Sequence, residues 1–284
     1  LSVKSDLIAL MEHIARCLPL PAVSRVYIPE PQPHAGKHTE FGVVALADGA
    51  AGLYYAWLGE TQKGMQGRYS EADFIGRPPL ELVQLLKEND DAARSLGMAA
   101  VNAISRHVLR RAGYRPPPAA DSLGGLDPGA GDHLGMVGYF PSLVARLGES
   151  GIRVTVIEKK TRFTSDSPLV TISSDISELG ACNKVLCTAA TLLNDSVDDV
   201  ITHAENAEAI AVIGPTASFL PDPLFRRGVT AVGGTEITDA ARAITALRED
   251  SGLKEVERRY LIRREDYPGV EILIDKATEK SGEA

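Results

Sequence analysis

Gly138, Tyr139, Phe140, Pro141 and Ser142 follow a short apolar run and open a helical pattern. Such a strand-to-helix turn leaves amides free to face an anion. Glu158 closes the next apolar run 20 residues after Gly138, the spacing at which an acidic side chain holds a ribose hydroxyl in dinucleotide and adenosyl sites. The glycines read G-x-x-G, Gly135 to Gly138, rather than G-x-G-x-x-G, so they serve a plain tight turn equally well. Tyr139 either packs under the sheet or stacks on a ligand. Three later loops add polar groups at comparable positions. The first runs from Thr188 to Asn194, Asp195 and Ser196, where Asn194 or Asp195 is as well suited to cap the following helix. Next come Gly214, Pro215, Thr216 and Asp222, and finally Gly233, Gly234, Thr235 and Glu236.

Metal ligation has little support in spacing. His34 and His38 form H-x-x-x-H, but Pro31, Pro33 and Gly36 make that stretch a loop, and zinc sites need three or four ligands. Cys182 and Cys187 stand at the entry to a buried strand, where Cys187 reads as core. Oxygen donors at Asp222, Glu236 and Asp239 are the remaining candidates for a metal ion. No G-x-S-x-G elbow, P-loop, H-E-x-x-H or Cys-x-x-Cys occurs, so hydrolase, NTPase and zinc-protease readings lose their usual footing. Arg226 and Arg227 adjoin the loop at 214–225 and are candidates to attract an anion or to solvate a helix end.

The elements that would position these residues divide into two rhythms. In the first half, Leu7, Met11, Ile14 and Leu18 predict a helix stopped by Pro19 and Pro21. Residues 23–28, 41–47 and 53–58 predict strands, with Asp48 and Gly49 as a hairpin turn. Residues 79–87 and 91–111 predict helices, the second with Leu96, Ala100, Ile104 and Val108 on one face. Asn102, a poor helix former in mid-helix, is expected to make a buried hydrogen bond. In the second half, short runs apolar on both faces alternate with helical patterns. Strands are expected at 134–138, 153–158, 185–188, 209–214 and 229–233, with one more at 270–274 before a frayed polar tail. The Pro- and Gly-rich stretch between them reads as a linker. The expected division is 1–115, 116–131 and 132–284. The expected class is α/β: a small α+β unit followed by a Rossmann-like, doubly wound parallel sheet, whose ligands lie beyond the strand carboxyl ends.

Composition narrows the partners. The 284 residues carry 44% apolar side chains and a formal charge of −8, values of an ordinary globular protein with no general footprint for a phosphate backbone. Nucleic acid is therefore not an expected partner. No apolar run approaches the roughly 18 residues of a membrane span, and three cysteines cannot build a disulfide scaffold, so a cytoplasmic location without membrane insertion is expected. Homodimerisation is compatible with the chain's class.

The string from Gly214 to Phe225, with Gly228, Val229, Gly233, Gly234 and Thr235, the loop Thr188 to Ser196 and the turn Gly138 to Pro141, resembles the "putative heavy-metal chelation" family, a former domain of unknown function. Gly97, Ala99, Asn102 and Ala103 are similar to the Gly-x-Ala-x-x-Asn-Ala segment of that family's amino-terminal domain. The resemblance implies an enolase-amino-terminal-like domain before a Rossmann-like one, with a site in the cleft between them. It implies metal handling without a demonstrated reaction. The chain lacks an obvious thiolate-histidine cluster, so a small organic chelate or oxygen-held metal fits it better.

Two readings follow. In the first, a metal complex or small anionic ligand is held by Gly138, Tyr139, Glu158, Thr188, Asn194, Gly214, Pro215, Thr216, Asp222, Gly233 and Thr235, with a metal ion or chelate as the expected cofactor. In the alternative, the chain is an enzyme using an adenosyl or nicotinamide cofactor, such as an S-adenosylmethionine-dependent transferase, on the spacing from Gly138 to Glu158. A scaffold with a vestigial groove is the bland third possibility.

Overall fold

The computed structural model describes residues 2–30, 40–56, 61–65, 67–159, 163–165 and 167–279. His34 and His38 lie outside them. Helix α1 (Val3–Cys17) starts where the Ser2 hydroxyl accepts the Ser5 amide, and it buries Val3, Leu7, Met11 and Ile14 at helical spacing. Strands β1 (Val23–Tyr27), β2 (Phe41–Leu46) and β3 (Ala51–Tyr55) form an antiparallel sheet in that order. Gly49, at φ +84°, makes the turn between β2 and β3.

Helices α2 (Thr61–Met65), α3 (Pro79–Val83), extended by a 3-10 turn over Gln84–Lys87, and α4 (Asp91–Arg111) complete the α+β unit. The Asp90 carboxylate caps α4 by accepting the Ala93 amide at 2.8 Å. Sequence periodicity gives α4 one apolar face, yet 17 of its 21 residues are buried. Its small side chains let neighbours approach from every side. At Gly52 in β3, a Cβ would stand 2.2 Å from the Ala99 carbonyl oxygen of α4, so only glycine lets the strand lie on the helix backbone.

The second unit comprises β4 (His133–Val137), α5 (Pro141–Glu149), β5 (Arg153–Ile157), β6 (Val170–Ser173), β7 (Lys184–Thr188), α6 (Val197–His203), β8 (Ala209–Ile213), α7 (Asp222–Phe225), β9 (Ala231–Ile237), α8 (Ala240–Arg248), β10 (Glu257–Arg263) and α9 (Val270–Glu279). Its seven strands lie in the order β10-β9-β8-β7-β4-β5-β6. All neighbours run parallel except β10, which pairs antiparallel with β9. The chain leaves β4 outward to β5 and β6, then returns to β7 and continues the other way. The order reverses between β4 and β7, where a doubly wound sheet opens its crevice.

The two faces of this sheet pack differently. Leu134, Met136, Val154, Val156 and Leu186 meet Leu143, Val144 and Leu147 of α5. Val185, Cys187, Val212 and Val232 join a cluster that continues into α1 and α4. Alternate residues of each strand thus serve separate layers. Residues 116–131 run beside β10, where the Ala119 amide donates to the Arg259 carbonyl and the Leu261 amide to that of Pro117. No helix among the described residues is long and apolar enough to cross a membrane.

The structure corrects three expectations. Residues 270–274 are not a strand but the start of α9, because Val270, Leu273, Ile274 and Ala277 are buried at helical spacing. The same helix orders the tail through Glu279. Strand β9 runs on to Ile237, so Gly233, Gly234, Thr235 and Glu236 lie within it rather than after it. Its partner β10 supplies the reason: the two pair from Ala231 opposite Arg263 to Ile237 opposite Glu257. Gly234 faces Tyr260, whose hydroxyl would stand 2.5 Å from an added Cβ, so that glycine clears space for a ring rather than making a turn. Strands β6 and β10 were not expected from periodicity; β10 carries four charged residues in ERRYLIR and sits at the sheet edge.

Candidate functional site

Four of the sequence-derived site residues meet at the reversal point. Gly138, at φ +89°, turns the chain from β4 toward α5, and an added Cβ there would lie 3.0 Å from the Thr188 methyl carbon. The Tyr139 amide donates to Glu158 Oε2 at 3.3 Å. The Tyr139 ring stacks on Phe163, with centroids 4.3 Å apart and planes 17° from parallel. A carboxylate of the chain itself therefore sits on an amide that a bound pyrophosphate would use. Thr188 Oγ1 accepts the Ala190 amide, and Asn194 Oδ1 accepts the Ser196 amide and hydroxyl. Both side chains are occupied in shaping local turns.

Gly214, Pro215, Thr216, Gly233 and Thr235 gather elsewhere, along the seam between the two units. The 3-10 turn Pro215–Ala217 lies against β3 and β9. Asn102 Nδ2 donates to the Thr216 carbonyl at 3.1 Å and to the Leu53 carbonyl at 2.9 Å. The Thr235 amide donates to Ser218 Oγ, which donates in turn to the Pro215 carbonyl. The Leu220 amide donates to Ser105 Oγ of α4. Thr216 is 1% exposed and Thr235 5%, so these residues form a packed wall.

An open cleft of about 540 Å³ lies beside that wall, between β1, β2, the end of α4 and the carboxyl end of β9. Arg25, Arg106, Arg110, Asp48, Glu236 and Asp239 supply its charges. Glu236 is buried and held from two sides. Arg106 Nη2 donates to Oε1, while Arg258 Nε and Nη2 reach Oε2 at 2.8 and 2.5 Å. Burial lowers the Arg106 pKa, with Glu236 opposing the shift. Asp239 Oδ1 caps α8 through the Arg242 amide at 3.0 Å. Asp48 Oδ1 accepts the Ala50 amide, and Oδ2 lies 2.9 Å from Nδ1 of buried His107. Burial pushes the Asp48 pKa up, but the hydrogen bonds from His107 and Ala50 outweigh it and the carboxyl titrates below its usual range.

The third metal candidate, Asp222, lies apart. Its Oδ2 accepts the Tyr267 hydroxyl at 2.7 Å and its Oδ1 the Val270 amide at 3.0 Å, so it anchors α9. Arg227 is likewise committed, donating to Asp6 Oδ2 at 2.7 Å and to the Pro223 carbonyl. Asp222, Glu236 and Asp239 therefore do not converge on one point. Among the described residues no three His, Cys, Asp or Glu side chains stand as a ready metal cage. A bare ion does not fit the cleft's carboxylates, which are already engaged.

The donors that remain are cationic. Arg110 Nη1 donates to the Asp48 carbonyl at 2.9 Å, and that guanidinium has further N–H groups. Among the described residues Arg25 has no ion-pair partner, and it too faces the cleft. Sequence reasoning missed Arg25, Arg106, Arg110 and His107. The signal that could have found them is the run Arg106, His107, Arg110 and Arg111, a basic cluster at the carboxyl-terminal end of α4.

Two family models, each described as "Putative heavy-metal chelation", match residues 39–105 and 122–265. An uncharacterised protein of Methanocaldococcus jannaschii is 29% identical over 172 residues, 59% of this chain and 64% of that protein. The match thus spans less than two thirds of that relative's length. Two solved structures of proteins of unknown function from the same family superpose on the chain with a TM-score of 0.67 each. The one from Pyrococcus horikoshii is 20% identical and the one from Desulfitobacterium hafniense 19%; each comparison covers 92% of this chain and 99% of the other. At that identity the likeness shows the fold.

Proposed function

This chain belongs to the family described as "Putative heavy-metal chelation", and from that premise we propose that it binds a small anionic ligand or metal chelate in the cleft between its two units, at the carboxyl end of β9. The carrying observation is the 540 Å³ opening with Arg25 and Arg110 on its walls, beside carboxylates already committed to arginines, a histidine and a helix cap. Guanidinium forks match carboxylate oxygens two at a time, so a polycarboxylate that carries the metal suits these walls better than a naked cation. The division at 116–131 belongs to the same proposal: the antiparallel sheet and α4 form one wall and the Rossmann-like unit the other.

Calorimetric titration of the full chain with citrate, ferric citrate and free divalent metal ions tests the reading, paired with elemental analysis of protein purified without chelators. Heat from citrate or its iron complex, and none at the cleft from free ions, is the expected result. Absence of binding by citrate and ferric citrate overturns it.

The alternative, an adenosyl or nicotinamide cofactor over Gly138 and Thr188, draws on the strand order and its reversal between β4 and β7. The Glu158 carboxylate on the Tyr139 amide opposes it. Saturating S-adenosylmethionine or dinucleotide raises the melting temperature if that reading is right.

A further inference from the structure

The end of α4 grips Asp48, in the turn between β2 and β3, at two points. His107 Nδ1 lies 2.9 Å from Asp48 Oδ2. Three residues on, along the same side of the helix, Arg110 Nη1 donates to the Asp48 carbonyl at 2.9 Å. Asp48 Oδ1 accepts the Ala50 amide at 3.0 Å, so the carboxylate is tied to its own turn as well as to the helix. The turn runs so close to the arginine that a Cβ on Gly49 would stand 3.5 Å from Arg110 Nη1.

The polar contribution of the His107 ring is spent on this one contact. Its side chain is 3% exposed, and among the described residues Nε2 has no hydrogen-bond partner. An acceptor carboxylate at Nδ1 places the ring proton on that nitrogen. Two backbone bonds close the hairpin itself, from the Gly49 amide to the Leu46 carbonyl and from the Leu46 amide to that of Ala50. Beyond them the turn borders open space on both sides. The cleft lies in front, and a second hollow of about 510 Å³, walled by Pro19, Leu20, Pro21 and Arg111, lies behind Asp48 and His107. Packing alone does not hold the Asp48 carbonyl in place, whereas the bond from His107 does.

We propose that His107 is a positioning residue for the cleft: through Asp48 it fixes the carbonyl that aims the Arg110 guanidinium at a bound anion. The inference rests on the cleft reading given above and adds a residue that touches no ligand. An arginine side chain has many rotamers, and ordering it at the moment of binding weakens affinity. Anchoring one N–H on the Asp48 carbonyl orders the fork beforehand and leaves its other N–H groups for carboxylate oxygens.

Two measurements on the full chain test the assignment, with urea unfolding as the control on folding. The first needs no ligand: modification of Arg110 by phenylglyoxal, followed by peptide mass spectrometry. Arg110 should react faster in H107A than in the wild type. H107N, whose amide stands where Nδ1 stood, should restore the slow rate. H107Q, which fills the site but carries its amide at the Nε2 position, should react like H107A and serves in its place if H107A does not fold. The second is calorimetric titration with ferric citrate. H107A or H107Q should weaken binding roughly 2- to 10-fold, the effect of ordering one long side chain. In an R110A background the same change at His107 should have no further effect. Equal Arg110 reaction rates in the wild type, H107A and H107Q overturn the proposal. So does a loss of affinity from the His107 change that is as large without Arg110 as with it. Absence of ferric citrate binding by the wild type overturns the cleft reading instead, and the Arg110 rates then decide the positioning by themselves.

Discussion

Asn102 of α4 donates to the carbonyl of Thr216, 114 residues further along the chain, while its second amide hydrogen goes to Leu53 in β3. One buried side chain thus joins the small sheet, the long helix and the turn after β8, and fixes the cleft wall relative to both units.

Replacing Asn102 by Ala strands two buried carbonyls, each worth about 1–3 kcal/mol of lost hydrogen bonding. N102A should lose about 2–4 kcal/mol in urea unfolding. N102D should lose at least as much, because it offers oxygens where two acceptors already wait. A loss below 1 kcal/mol in both variants, about the low end for a single orphaned group, would contradict this role.

Asp48 predicts an acid limb of the stability curve. Its folded-state pKa is depressed, since hydrogen bonds from His107 and Ala50 overcome the cost of burial. The resulting stabilisation is present above the ordinary carboxylate value of about 3.9 and is lost as pH falls through the folded value. Unfolding free energy measured from pH 6 downward should drop less steeply in D48N than in the wild type. Parallel curves would show that the pair with His107 contributes no such term.

The Glu236 carboxylate holds two guanidinium groups in a largely buried setting. E236Q removes the charge and keeps the shape, so Arg106 and Arg258 remain without their counter-ion. A cost of about 3–5 kcal/mol is expected from the general behaviour of broken buried pairs. Chemical denaturation of the variant checks it, and wild-type stability would mean that solvent replaces the carboxylate freely.

Thiol reactivity separates the three cysteines. Only Cys17 is exposed, whereas Cys182 and Cys187 are buried. Titration with a chromogenic disulfide reagent at neutral pH should count one thiol in the native chain and, from the three cysteines of the sequence, three after denaturation. Rapid native reaction of all three would contradict the packing of β7.

The alternating apolar runs and their glycine punctuation exposed the parallel sheet, because each central strand is buried on both faces and needs no long-range information to be recognised. Strand β10 escaped notice because an edge strand pairs through its backbone and keeps charged side chains. Gly233 and Gly234 misled, since a glycine that admits the Tyr260 ring and one that turns the chain look alike in sequence. The resemblance carried by Gly214 to Phe225 implied a site in a cleft at the seam between the units. It did not reveal that Thr216 and Thr235 would be sealed within it. The cleft's arginines come from β1 and α4, far apart along the chain, and only the folded register of the small sheet against that helix brings Arg25 and Arg110 to one opening.

The most direct test of the cleft assignment is calorimetric titration of ferric citrate into the wild type and into R25A, R110A and the double variant, with urea unfolding as a control on folding. Each exposed guanidinium removed should weaken binding by ~10-fold or more, as expected for a charged hydrogen bond of about 1.5–3 kcal/mol, with unfolding stability little changed. Wild-type affinity for ferric citrate in a folded double variant would contradict the account.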